Sequence, residues 1–64
     1  MDIYVFNSAY GHEGGRNIAL ADVNVVRQQI DYTGKPYIMF EHKDFPLGLL
    51  RADFDGDRWT CDLD

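Results

Sequence analysis

The dipeptide Asp55-Gly56 stands between two runs in which apolar and polar residues alternate, and this feature constrains the fold most. A two-residue turn there pairs Phe54 with Asp57, Asp53 with Arg58 and Ala52 with Trp59. The same register pairs Arg51 with Thr60 and Leu50 with Cys61. Residues two apart share a face. One face then collects Leu50, Ala52, Phe54, Trp59, Cys61 and Leu63, and the other Arg51, Asp53, Arg58, Thr60 and Asp62. A slip of one residue would scramble this segregation. Asp53 opposite Arg58 adds a charge match. Leu47 and Leu49 fall on the polar face, where they need cover from another element or a partner.

The aromatic and β-branched residues 3–6 predict a first strand. Residues 7–17, with Gly11, Gly14 and Gly15, predict a loop that is long for so short a chain. Residues 19–32 predict a helix: Val23, Val26 and Ile30 lie on one face at helical spacing, with Ala19 and Leu20 flanking. Asp22 is a candidate N-cap, and Gly34 followed by Pro36 is a stop signal. Val25 projects from the wrong face, three valines lower helix propensity, and residues 18–26 also fit an extended segment. Strands are predicted at 37–41, 47–54 and 58–63, with Lys43, Asp44 and Pro46 in a turn. The expected fold is α+β, in the order β-α-β-β-β. One helix packs on one face of a small, mostly antiparallel sheet of about four strands. If the first two strands are neighbours, the helical crossover makes them parallel.

A chain of 64 residues is expected to form one domain spanning residues 1–64. At this size only about 60% of the unfolded surface is buried, so the core is marginal. Cys61 is the single cysteine, which excludes an internal disulfide and suggests a reducing compartment. No charged-then-apolar leader follows Met1, and no apolar run approaches the roughly 18 residues of a membrane span. The expected location is the cytoplasm. Six basic against eleven acidic residues, a net charge of −5, argue against direct nucleic-acid binding and favour a basic partner.

The acidity is localised. Residues 53–64 hold Asp53, Asp55, Asp57, Asp62 and Asp64 against Arg58 alone, a local sum of −4 that leaves −1 for residues 1–52. Carboxylates two residues apart on a strand lie about 6.8 Å from each other. Such a row can offer a basic groove an imitation of a phosphate ladder, and Glu41 and Asp44 extend it. Arg51 and Arg58 interrupt it. The plain alternative is a solvated hairpin tip and tail.

Other chemistry is thinly supported. Asp53 to Asp57 is like a calcium loop, but Arg58 stands where an EF-hand needs glycine. His12, Glu13, His42 and Cys61 match no metal-ligand spacing. The Gly11–Arg16 loop lacks the lysine and hydroxyl of a phosphate loop, so its glycines are read as turn formers. No nucleophile-base motif is present. The expectation is a non-enzyme without metal or cofactor, monomeric or homodimeric.

In size, acidity and architecture, the chain resembles the small phage-encoded anti-CRISPR proteins that mimic DNA with acidic surfaces. The residues that carry this resemblance are Asp53, Asp55 and Asp57 at the hairpin tip and Asp62 and Asp64 in the tail. It implies an inhibitor in the host bacterial cytoplasm whose partner is a basic nucleic-acid-binding protein, a CRISPR effector subunit with type I favoured. A second expectation is an interaction or self-associating module using Leu47, Leu49 and Tyr10. A third is a metal-dependent enzyme using His12, Glu13 and His42.

Overall fold

The computed structural model describes residues 1–11 and 13–64, with Leu47 described by its backbone alone. Six strands form one sheet: β1 (Asp2–Phe6), β2 (Arg16–Ala19), β3 (Asn24–Ile30), β4 (Pro36–His42), β5 (Phe45–Phe54) and β6 (Trp59–Asp62). Their order is β2-β1-β6-β5-β4-β3. Neighbours are antiparallel except β1 and β6, which run parallel.

The α+β expectation is overturned: the described residues hold no helix longer than the three-residue 3-10 turns Ser8–Tyr10 and Leu20–Asp22. The segment predicted as a helix over 19–32 is instead the end of β2, a 3-10 turn and the whole of β3. Two things account for this. Val23, Val25 and Val26 favour extended backbone. A bulge between Val25 and Arg27 then inserts one residue into the strand, which breaks the period of two and leaves apolar spacing like that of a helix. Without a helical crossover, β1 does not run parallel to the next strand. It pairs antiparallel with β2, and its parallel partner is the last strand.

The β5–β6 hairpin forms in a register two residues away from the expected one. Phe54 faces Trp59 and Asp53 faces Thr60. The turn is centred on Gly56-Asp57, with Gly56 at φ 97°. The Asp55 carboxylate accepts the Asp57 and Arg58 N–H groups at 2.9 and 2.8 Å, while Asp55 N–H donates to the Arg58 carbonyl at 3.1 Å. Glycine thus takes the first central position, where positive φ carries no penalty. A shift of two preserves side-chain parity. Ala52, Trp59 and Cys61 are buried, and Leu50, Phe54 and Leu63 pack against the same core.

The sheet is curled rather than flat. Arg16 of β2 reaches Asp44, in the β4–β5 turn, at 2.7 Å, and its guanidinium lies 5.2 Å from the Phe45 ring centroid. Laid flat, β2 would stand about 19 Å from β4, four strand spacings away. The residual twist between neighbours, roughly 20–25° each, carries the sheet round on itself. Inside the curl lie Ile3, Val5, Ile18, Ile38, Phe40, Ala52, Trp59 and Cys61, with Leu20 and Val23 of the β2–β3 connection packed on them.

Candidate functional site

Four of the seven carboxylates singled out in the sequence have defined partners. Asp55 is committed to its turn, and the backbone N–H groups of Arg58 and Asp57 hold its carboxyl below the usual range. Asp53 is tied to Arg51: its Oδ1 accepts from Nε at 3.0 Å and Nη2 at 2.9 Å. Asp44 pairs with Arg16, whose hydrogen bond lowers its pKa. Glu41 accepts from the Asn24 amide at 3.2 Å and is exposed.

Asp57, Asp62 and Asp64 sit in the turn and the tail, all exposed. Asp57 is exposed in the turn. Asp62 Oδ1 accepts the Ser8 N–H at 3.1 Å and the Asp64 N–H at 3.0 Å, and Ser8 Oγ donates to Asp64 Oδ2 at 3.3 Å. The four residues of β6 separate turn from tail, about 13 Å along the strand. The carboxylates therefore gather at both ends of the hairpin, with the Arg51–Asp53 pair between them on β5.

Sequence reading missed the cluster around Arg51. Register places Tyr37 beside Asp53 and Met39 beside Arg51 on the outer face. The Arg51 guanidinium stacks 4.0 Å above the Tyr37 ring centroid, and its Nη2 lies 3.7 Å from Asp31 Oδ2. The Tyr37 hydroxyl donates to Gln29 Oε1 at 2.6 Å. Asp31 shapes the β3–β4 loop as Asp55 shapes its own turn. Its Oδ1 accepts the Thr33 hydroxyl at 2.6 Å and the N–H groups of Thr33 and Lys35 at 2.9 and 3.0 Å. These bonds, the Thr33 hydroxyl first, lower its pKa. The signal was present: aspartate three residues before Gly34 is turn chemistry. What placed it beside Arg51 was pairing between strands remote in sequence.

Beside this cluster the outer face opens a groove of about 370 Å³. Val26, Met39 and Leu49 supply apolar lining, and Arg27 and Arg51 also border it. Leu49 falls on the outer face, as its alternation requires, and is half-exposed. The Leu47 side chain lies outside the described residues. Tyr10 is exposed on the first 3-10 turn, away from the core.

Gly15 has a packing role. A Cβ at Gly15 would lie 2.5 Å from Tyr4 Cζ and 2.6 Å from both Tyr4 Oη and the Val5 carbonyl oxygen. Glycine is what lets the chain at Gly15 lie against β1, where Tyr4 and Phe6 stack at 5.7 Å.

Among the described residues no group of three or more His, Cys, Asp or Glu side chains is placed to hold a metal ion. His12, one of three residues weighed for a metal-dependent reaction, lies outside them. His42 is buried, its Nδ1 accepting the Asp44 N–H at 3.1 Å. Cys61 is buried, and desolvation pushes its thiol up to about 11. At neutral pH it is a core-packing thiol rather than a thiolate nucleophile. No helix among the described residues is long and apolar enough to cross a membrane.

Fold and site together define a small curled β-sheet module with an acidic hairpin and an apolar groove on its outer face. Comparison with known proteins finds no family model, curated protein or solved structure that matches the chain.

Proposed function

We propose that the protein is a non-catalytic inhibitor of the anti-CRISPR kind. It presents the acidic β5–β6 hairpin and tail to a basic nucleic-acid-binding protein in the host cytoplasm and occludes that protein's DNA site. The observation that carries this reading is the concentration of charge in residues 53–64, five aspartates against Arg58, with Asp57, Asp62 and Asp64 all exposed. Charge of one sign on a rigid element steers a basic partner and opposes nucleic acid. The CRISPR effector as target, type I first, follows from the resemblance in size and acidity.

The geometry changes which residues carry the charge outward. Asp53 is matched by Arg51, Asp44 by Arg16, and Asp55 is spent on its turn. Asp57 and Asp64 are therefore the pair to reverse. Asp57→Lys with Asp64→Lys leaves the turn-closing carboxylate in place. The test is target-DNA binding by a purified type I CRISPR effector complex, with and without the protein, at low and high salt. Inhibition that weakens at high salt and disappears in the double variant supports the reading. Absence of inhibition in any type I complex tested, or inhibition indifferent to both changes, overturns it.

A further inference from the structure

Among the described residues, the exposed large apolar side chains other than Met1 and Tyr10 gather at one edge of the sheet. Val25, Val26 and Ile30 are on β3, Tyr32 follows it, and Leu49 lies beside it in the groove. All seven residues of β3 are exposed, and among the described residues the strand pairs only with β4. Its outer backbone N–H and C=O groups therefore form an open ladder, a template for another strand. The usual protections of such an edge are sparse: β3 holds no proline and a single charge, Arg27.

The bulge between Val25 and Arg27 has a second effect here. It brings Val26 and Arg27, adjacent in sequence, to the same groove. Bulges re-aim side chains in this way. Arg51 is held by Asp53, Asp31 and Tyr37. Arg27 makes no ion pair or side-chain hydrogen bond among the described residues. So an unmatched guanidinium and an apolar lining flank an open strand edge, on a protein that is otherwise acidic.

We infer that the β3 edge is a docking site for an extended segment of a partner protein, which adds as a further strand beside β3. The segment carries an acidic side chain opposite Arg27. A long apolar side chain two residues away, and so on the same face, packs over Val26 at the β3 side of the groove. Main-chain hydrogen bonds supply affinity, and the groove and Arg27 supply selection. A second copy of the chain fits less well. Symmetric antiparallel pairing of β3 centred on its middle residue sets Arg27 against Arg27, and like charges directly opposite are destabilising. This surface is separate from the acidic turn and tail and does not rest on them.

The test is a heteronuclear NMR titration of the full chain with two blocked hexapeptides. One alternates threonine with phenylalanine, glutamate and valine; the other replaces glutamate by lysine. The expected result is amide shifts over Val26–Ile30 and on the neighbouring strand at Met39, with the glutamate peptide binding roughly five- to tenfold more tightly. In Arg27→Glu the order of preference reverses. If that variant loses the folded spectrum, Arg27→Gln is read instead and should bind both peptides about equally. No shifts at millimolar peptide, shifts mapped elsewhere, or equal binding of both peptides by the unmodified protein overturns the proposal. Concentration-dependent shifts of β3 amides without peptide also overturn it, in favour of self-association.

Discussion

Strands β3 and β4 are neighbours of equal length, and they are built to opposite ends. In β4, Ile38, Phe40 and His42 are buried while Tyr37, Met39 and Glu41 turn outward. In β3 every residue is exposed, though it holds two valines and an isoleucine. Apolar content is therefore not what buries a strand. Position is: β4 has a partner on each side and faces the curl, whereas β3 lies at the end of the order and has one. An edge strand can carry apolar residues that contribute little to the core, and such residues are free to serve recognition.

The sharpest test of that contrast is Phe40→Ala against Ile30→Ser. Phe40 is fully buried. Its truncation should cost about 3–5 kcal/mol, in a domain whose whole stability is on the order of 3–10 kcal/mol. Urea unfolding followed by circular dichroism should find at most a marginal fold. Next comes Gly15→Ala, where the added Cβ meets the Val5 backbone as well as the Tyr4 ring. Overpacking of this kind costs about 1–3 kcal/mol, read by the same measurement. A variant as stable as the parent would mean that the loop does not lie on β1.

Acid should weaken the turns before it touches the core. Asp55, Asp44 and Asp31 all have lowered pKa values in the fold. Their contribution is present above the unfolded carboxyl value, about 4, and is lost as pH falls through the lower folded values. The thermal midpoint should drop across that window. Asp55→Asn, which keeps an acceptor oxygen but no titration, should flatten the drop. Cys61 gives the opposite sign at the other end of the scale. Its thiol is raised from 9.0 to about 11, so the fold loses stability as pH climbs from 9 toward 11. Cys61→Ser should remove that alkaline slope in a thermal-midpoint series, and a thiol reagent at neutral pH should react only at the rate of opening. Ile30→Ser completes the comparison with the smallest effect, within about 0.5 kcal/mol. A larger loss would show that β3 is covered in solution.

Much of the strand content was legible locally. β1, β4, β5 and β6 each correspond to a run found by alternation or β-branched content, with ends displaced by one or two residues. β2 was not, because Arg16–Ala19 is short and has one buried residue, Ile18. β3 carries helix-like spacing in the sequence because its bulge moves the apolar spacing off two. In the candidate site, Asp55 and Asp53 stand in the sequence as charge, while in the fold their stronger commitments are to a turn and to Arg51. Aspartate looks the same in a sequence whether its oxygens face solvent or backbone N–H groups.

What the sequence determined by itself is the partition of faces in the last hairpin. Strand side chains alternate with period two, so a register error of two residues left Ala52, Trp59 and Cys61 together in the core. Local sequence does not specify whatever depends on strands distant along the chain becoming neighbours. That includes the parallel pairing of β1 with β6, the reach of Arg16 to Asp44, and the gathering of Asp31, Tyr37, Arg51 and Asp53. Local periodicity reports which face a residue takes. The curl of the sheet chooses what stands opposite that face, through twist accumulated over all six strands.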